Sequence, residues 1–116
     1  MLAYLTDHEP ALGPDLTTAA VEWISGYNLA FGADLLVHDC QYTEEEYSSH
    51  RGWGHSSTAQ VAVFADRAKV DRLLTFHHDP LHDDDALEAM CARVRDLWDV
   101  TPDRCAVAGE GMTIDV

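Results

Sequence analysis

Three short apolar segments of the sequence each end in histidine and aspartate residues. The first ends at Asp7-His8, the second at His38-Asp39 and the third at His77-His78-Asp79. Runs of four or five apolar residues are typical of buried strands, and in open α/β sheets the functional groups collect at one end of the strands. Carboxylate oxygens and imidazole nitrogens are ligands for several divalent metals. The pattern therefore predicts a metal site at a shared edge of a sheet.

Asp7 and His77 are the predicted metal ligands. Each follows the end of a predicted strand, and a carboxylate oxygen together with an imidazole nitrogen suits Zn²⁺, Mn²⁺ or iron. Taken one at a time, the two residues have a second interpretation, in which Asp7 caps a turn and His77 hydrogen-bonds to a backbone carbonyl. Their parallel placement after separate strands favours the metal site.

His55 is the predicted catalytic histidine. It lies in the segment 52–57, Gly-Trp-Gly-His-Ser-Ser, where the glycines permit close backbone approach and the following helix offers amide groups at its positive end. This combination predicts a phosphate or oxyanion pocket. Asp39, at the end of the second strand, would hold His55 in its protonated form, so that His55 donates to a leaving oxygen or stabilises charge on a phosphoryl group. A loop histidine before a capped helix is the alternative interpretation.

The remaining histidines and the acidic runs are assigned structural roles. His78 and Asp79 are predicted to orient the neighbouring ligand. The runs Glu44–Glu46 and Asp83–Asp85 are predicted to be acids in the first turns of helices, on solvated faces. Four further histidines are predicted to be surface or turn residues: His8, His38, His50 and His82.

Composition predicts one folded, acidic, intracellular domain. The chain has 116 residues, of which 47% are hydrophobic and 24% charged, as in globular proteins. Seven basic and 21 acidic residues give a net charge of −14, which opposes non-specific binding to nucleic acid or anionic membrane. Cys40, Cys91 and Cys105 form no CxxC motif, which favours a reducing, cytoplasmic setting. The sequence contains no apolar run of about 18 residues, so we predict no membrane span.

The order of elements favours a βαβ arrangement, an α/β fold in which a sheet carries helices on at least one face, over a single domain of residues 1–116. Helical patterns cover Asp15–Leu29, the turn after Thr43, the stretch from Ser56 or Ser57 to Ala68, and a helix that begins at Asp83–Asp85. The predicted strands are Leu2–Thr6, Asp34–His38, Arg72–Phe76, Cys105–Ala108 and Met112–Val116.

Four motifs, in order and at fitting separations, resemble the C-terminal half of metallo-β-lactamase-fold hydrolases. The nearest branch is the ribonuclease Z and phosphodiesterase group. The resemblance implies half of an αββα sandwich, with a mixed sheet and helices packed on one face. In such enzymes two metals, usually zinc and in some members manganese or iron, activate a water that attacks a phosphodiester. The motifs are Tyr4–Asp7, Ala33–Thr43, Gly54–Ser57 and Leu73–Pro80.

The same resemblance implies roles for individual residues. Asp7 matches the bridging aspartate and His77 the last histidine ligand of the family. Asp39 and His55 match the acidic residue and the histidine that assist phosphate turnover, although the acidic residue is more often glutamate. The family acts on tRNA precursors, cyclic nucleotides, cyclic phosphates and other esters or lactones. The net charge argues mildly against a long RNA and leaves a small phosphodiester among the candidate substrates.

The family's main metal motif, HxHxDH, is absent from the sequence, as is the further histidine that precedes the bridging aspartate. Both lie in the other half of such enzymes, so we predict that the chain is half of an enzyme. Two protein ligands would hold a metal weakly, since catalytic zinc usually takes three. The missing half would also leave an apolar sheet face uncovered, which predicts a homo-oligomer or a complementary N-terminal half as partner.

Two other functions compete with a hydrolase. The first is a catalytically incomplete half-domain that associates with itself or with a partner. The second is an unrelated acidic domain of the response-regulator type, in which clustered aspartates bind Mg²⁺. The second is disfavoured, because no suitably placed lysine follows Asp39 and the histidines would have no role.

Overall fold

A computed structural model describes residues 1–11, 15–76, 81–109 and 112–114. Its strands form one four-stranded sheet in the order β1-β2-β3-β4. These strands are β1 Leu2–Leu5, β2 Leu35–Asp39, β3 Arg72–Phe76 and β4 Cys105–Val107. The helices are α1 Tyr27–Ala30, α2 Glu44–Tyr47, α3 Thr58–Arg67 and α4 Asp84–Trp98. Within the described part of the chain, no helix has both the length and the apolar character needed to cross a bilayer.

All three strand pairings are parallel, with Leu2 beside Leu35, Leu36 beside Leu73, and Thr75 beside Val107. The carboxyl ends of the described strands therefore meet at one edge. This differs from the predicted mixed sheet, because α4 returns the chain to β4 in the same direction as β3. The predicted strand Met112–Val116 is not formed over residues 112–114, and its last two residues lie outside the described part.

The core lies between one face of the sheet and the pair α3 and α4, which confirms the prediction of helices packed on a sheet face. From the sheet, Ala3, Leu36, Leu73 and Cys105 are at most 2% exposed. Each large apolar side chain buried in this layer contributes about 1.5–3 kcal/mol. The helices supply Val61, Phe64, Ala65, Met90, Cys91, Val94 and Trp98.

The starts of the helices are fixed by side-chain caps, close to the predicted positions. Thr43 and Glu46 form a reciprocal capping box at α2, and Ser57 and Gln60 form another at α3. The Asp83 carboxylate accepts a hydrogen bond from the Ala86 amide at the start of α4. Because each cap satisfies backbone donors, the loops before these helices end at defined residues.

The single helix predicted over Asp15–Leu29 is wrong. The segment instead contains a turn, a 3₁₀ helix at Val21–Trp23 and the short helix α1. Gly26, in the left-handed conformation at φ 77°, separates the last two, and the Ser25 amide donates to the carbonyl of Pro10. The apolar residues Leu16, Ala19 and Ile24 are nevertheless buried. Of the five apolar residues at helical spacing in this segment, Ala20 and Trp23 are exposed, so the predicted apolar face is only partly buried.

Replacing Gly26 by alanine is expected to destabilise the fold by about 2–4 kcal/mol, the sum of a left-handed backbone penalty and overpacking. A Cβ at Gly26 would lie 3.0 Å from Nε2 of His8 and 3.1 Å from Cδ1 of Leu5. Gly32→Ala is the matched control, since Gly32 has φ 71° with no atom within 4 Å of the added Cβ. Urea unfolding followed by circular dichroism measures both variants. Equal losses of stability would show that the contact with His8 contributes nothing.

Candidate functional site

The structure brings Asp7, Asp39 and His55 together at the carboxyl ends of the strands. Asp7 follows β1, Asp39 is the last residue of β2, and His55 lies two residues before Ser57, the N-cap of α3. One carboxylate oxygen of each aspartate and one ring nitrogen of His55 lie within 4.8 Å of one another. Parallel pairing explains this proximity, because it places the ends of β1 and β2 side by side.

Asp39 is fully buried and, among the described residues, accepts hydrogen bonds from His55, His8 and Ser56. The His55 ring donates from Nδ1 over 2.6 Å, the His8 amide over 3.0 Å, and the Ser56 amide over 3.4 Å. Burial raises the pKa of the Asp39 carboxyl, and the hydrogen bonds from His55 and the two amides oppose that rise. The pairing fixes the orientation of the His55 ring and leaves Nε2 as the basic nitrogen of its neutral form.

Asp7 occupies a strained turn directly after β1. Its φ is 50°, in the left-handed region where aspartate is one of the few tolerated residues. Its side chain is 65% exposed, and one carboxylate oxygen lies 3.7 Å from Nδ1 of His55. Strain of this kind is frequent where a side chain must be aimed at a functional site. The turn directs the Asp7 carboxylate toward the His55 and Asp39 pair.

The prediction of surface or turn residues is wrong for His38, which is buried in β2. His8 lies in the turn after β1, as one alternative predicted, but is buried rather than at the surface. The two rings are joined by a contact of 2.8 Å between Nδ1 of His8 and Nε2 of His38. Both pack against Phe64, with ring centroids 5.3 Å and 5.1 Å away. The sequence did contain a signal for the burial of His38. Residues two positions apart in a strand lie on the same face of the sheet, so His38 lies on the face of β2 that carries Leu36 and packs against the helices.

The hydrogen bonds of this histidine pair fix the hydrogen positions on His38. Burial lowers the pKa of His38 to about 3, so the ring is neutral and its Nδ1 donates to the carbonyl of Asp39 over 2.6 Å. Its Nε2 lies 2.8 Å from Nδ1 of His8. On the other side, Nε2 of His8 lies 2.8 Å from the carbonyl of Ser25. Burial lowers the pKa of His8, while the Ser25 carbonyl and the Asp39 charge oppose that effect.

The phosphate pocket predicted at the glycine-rich segment is wrong for the amides that the structure describes there. The amides of Gly52 and Gly54 donate to the carboxylate of Glu9 at 3.0–3.1 Å. At the start of α3, the Thr58 amide donates to the carbonyl of Tyr42, and the Gln60 amide donates to the Ser57 hydroxyl. These donors are thus used by the protein itself, and an internal carboxylate takes the place of the predicted anion.

The other predicted residues lie around the site or outside the described part. His77, His78 and Asp79 fall in the segment 77–80, outside the described residues, so their roles stay predictions. His50 stacks on Tyr42 at 4.6 Å between ring centroids and contacts the Glu46 carbonyl through Nδ1 at 2.7 Å. His82 contacts the Glu46 carboxylate at 3.0 Å, and its side chain is 10% exposed. His50 and His82 are therefore both partly buried, and each contacts residues of neighbouring segments.

The donor set at the site fits a divalent cation. Two carboxylates and an imidazole are oxygen and nitrogen ligands of the kind that zinc, manganese and iron accept. Among them, Asp39 is engaged by two backbone amides and by His55, whereas Asp7 presents its carboxylate at the surface. Asp7 thus lies at the surface, with Asp39 and His55 as a hydrogen-bonded pair beside it.

Comparison with known proteins gives partial similarity to ribonucleases. A segment of 49 residues is 49% identical to ribonuclease Z of Lactococcus lactis subsp. lactis (strain IL1403), covering 42% of this chain and 16% of that protein. Ribonuclease Z of Listeria welshimeri is 30% identical over 80 residues, 69% of this chain and 26% of that protein. Ribonuclease BN of Salmonella heidelberg (strain SL476) is 33% identical over 73 residues, covering 63% and 24%. No protein-family model matches the chain. The matched segments thus span about a quarter or less of these relatives.

Proposed function

We propose that this chain is the C-terminal half of a metal-dependent phosphodiester hydrolase of the metallo-β-lactamase fold. The observation that carries the proposal is the cluster of Asp7, Asp39 and His55 within 4.8 Å at the carboxyl ends of the strands. Partial similarity to ribonucleases Z and BN supports it. So does the α/β architecture, with α3 and α4 packed on one face of the sheet, as in one half of an αββα sandwich.

Asp7 and His77 are the residues that would hold the metal, with zinc as the first candidate and manganese or iron as alternatives. A divalent ion supplies Lewis acidity, which polarises a phosphoryl oxygen and promotes ionisation of water. The turn after β1, in which Asp7 has φ 50°, holds Asp7 in place for this role. Its exposed carboxylate remains close to His55 without joining the short hydrogen bond between His55 and Asp39.

His55 and Asp39 would handle the proton of the leaving group. The 2.6 Å hydrogen bond from Nδ1 of His55 to Asp39 sets the plane of the ring, and the nearby carboxylate stabilises the protonated imidazole. The protonated ring donates from Nε2 to the leaving oxygen as the P–O bond breaks. Such general acid catalysis contributes about 10²–10⁴-fold to the rate. Asp39 is held for this task by the amides of His8 and Ser56.

A small phosphodiester is the proposed substrate. The net charge of −14 repels a long polyanion, whereas a compact diester carries a single charge to a site where a cation is bound. The cysteines described here are free and buried, in keeping with the proposed cytoplasmic setting.

The remaining metal ligands are proposed to come from a complementary N-terminal half. Leu2 and Tyr4 of β1 are more than half exposed on the sheet face that does not pack against α3 and α4. Tyr4 contacts Phe76 across that face, at 5.5 Å between ring centroids. Two copies of a chain with a charge of −14 would repel each other, which favours a different partner over a homo-oligomer. The relatives also carry far more chain than the matched segment.

Mixing the chain with a half that bears the HxHxDH motif is expected to give a complex that retains metal and hydrolyses bis(p-nitrophenyl) phosphate. Asp7→Asn is expected to lose most of the metal and of the activity while keeping its circular dichroism spectrum, because asparagine also tolerates positive φ. Metal is measured by inductively coupled plasma mass spectrometry on protein purified without chelator. Asp66→Asn, at an exposed position of α3, is the matched control.

Sedimentation velocity on the same mixture distinguishes a complex of two halves from self-association. Unchanged metal content in Asp7→Asn, or a metal-loaded complex with no hydrolysis, would contradict the proposed function. A stable homo-oligomer without metal or turnover would instead support the incomplete half-domain that acts by association alone.

A further inference from the structure

Glu9 is a partly buried residue outside the cluster of Asp7, Asp39 and His55, and its carboxylate accepts several hydrogen bonds. Its two oxygens accept hydrogen bonds from the amides of Gly52 and Gly54, at 3.0–3.1 Å. The hydroxyl of Tyr47 donates to the same carboxylate. Two amides and a hydroxyl thus converge on one ionised group, and hydrogen bonds to charged groups are the stronger class.

These contacts join the two segments that carry the site. Glu9 lies two residues after Asp7, in the turn that follows β1, and Gly54 directly precedes His55. Tyr47 in turn accepts a hydrogen bond from the Gln60 side chain, over 3.1 Å. The Asp7 turn, the His55 loop and the start of α3 are therefore connected through one carboxylate.

The loop needs such a connection because its own sequence does not hold it in place. Gly52 and Gly54 both have φ 88°, a conformation that glycine adopts at no steric cost but at a high cost in conformational entropy. Trp53 between them is 66% exposed and contributes little burial. The C-terminal side of the loop is held at Ser56, whose hydroxyl donates to the carbonyl of His8 and whose amide donates to Asp39. Glu9 supplies the contacts on the N-terminal side, at Gly52 and Gly54, and so restricts the conformations that this side of the loop samples.

We propose that Glu9 is a positioning residue, which fixes the loop of residues 51–55 and thereby holds His55 against Asp39. The consequence for catalysis rests on the proposed hydrolase function, whereas the structural role does not. A glutamine at this position would have one carbonyl oxygen and an NH₂ group. The NH₂ group cannot accept from the amides of Gly52 or Gly54, so the loop would lose at least one anchor.

The experiment compares the wild-type chain with Glu9→Gln by nuclear magnetic resonance. Amide exchange of Gly52 and Gly54 reports on the loop, and is expected to accelerate about tenfold or more when a charge-assisted hydrogen bond is lost. The Nδ1 proton of His55, in its 2.6 Å hydrogen bond to Asp39, reports on the ring and is assigned by its absence in His55→Asn. Its signal is expected to broaden or disappear in Glu9→Gln.

Glu22→Gln, at an exposed position of the 3₁₀ helix, is the control and is expected to change neither signal. If Glu9→Gln does not fold, Tyr47→Phe takes its place. It removes one donor to Glu9, and the same two changes are expected to a smaller extent. Unprotected Gly52 and Gly54 amides in the wild type, or an unchanged His55 proton in the folded variant, would overturn the proposal.

In the complete hydrolase, Glu9→Gln is expected to lower kcat with little change in KM, because His55 acts on the leaving group rather than in substrate binding. Equal changes in both constants would mean that Glu9 affects binding instead. An absence of hydrolysis in the wild type would count against the proposed function only, since the two resonance measurements require no turnover.

Discussion

Lowering the pH from 7 to 4 is expected to remove about 3 kcal/mol of stability through His38 alone. Burial, reinforced by the neighbouring His8, lowers the pKa of His38 to about 3, compared with 6.5 in an unfolded chain. Between these two values the unfolded state binds a proton that the folded state excludes. Stability from His38 is therefore complete above pH 6.5 and is lost progressively as the pH falls toward 3. Urea unfolding at a series of pH values measures the effect.

Two neighbouring groups modify this pH dependence in opposite directions. The pKa of His8 is also lowered by burial, so His8 adds to the loss of stability in acid. The pKa of Asp39 is raised by burial, so its folded form takes up a proton more readily than the unfolded chain, which opposes the loss. His38→Gln isolates the contribution of His38. Its stability is expected to fall less steeply between pH 6.5 and 4 than that of the wild type.

Direct titration of the imidazole resonances provides an independent measurement. The His38 ring is expected to remain unprotonated down to about pH 4, while an exposed histidine protonates near pH 6.5. A His38 ring that titrates near pH 6.5, as in an unfolded chain, or an unchanged slope in His38→Gln, would show that the ring is not held neutral in the core.

Local signals predicted the strands and helix starts well. The strand Arg72–Phe76 is an apolar run between turns, and the structure forms it with the predicted bounds. The helix starts at Thr43, Ser57 and Asp83 follow from the preference of short polar side chains for the N-cap. The caps join residues three positions apart, and the apolar run of the strand is continuous, so a single sequence displays both signals directly.

Interactions between distant residues account for what the sequence did not predict. The segment 15–29 has helical spacing, yet the close packing of Gly26 on His8 and Leu5 breaks it. The burial of His8 depends on partners 17 and 30 residues away, Ser25 and His38. The same holds for Glu9, whose partners in the His55 loop are 43 and 45 residues distant. The strand ends predicted a shared edge for Asp7 and Asp39, and the pairing of Asp39 with His55 was predicted separately, but the meeting of all three residues in one cluster was not.

Removing the His55 ring is expected to produce the largest loss of activity. In the assembled hydrolase, His55→Asn is expected to lower kcat by about 10²–10⁴-fold for a phosphodiester with an alkoxide leaving group, because the proton donor is lost. The loss is expected to be much smaller for bis(p-nitrophenyl) phosphate, since p-nitrophenolate departs without protonation. Equal losses for the two substrates would mean that His55 does not protonate the leaving group.

Asp39→Asn is expected to reduce activity by the same route and to reduce stability as well. The new NH₂ group would face one of three donors, the His55 ring or the amides of His8 and Ser56, and an unsatisfied buried donor costs about 1–3 kcal/mol. If His55 and Asp39 act as one unit, the double variant is expected to lose scarcely more activity than His55→Asn alone. Losses that multiply would assign the two residues to separate steps. A double-mutant cycle with the alkoxide substrate therefore tests whether the 2.6 Å hydrogen bond serves catalysis or only folding.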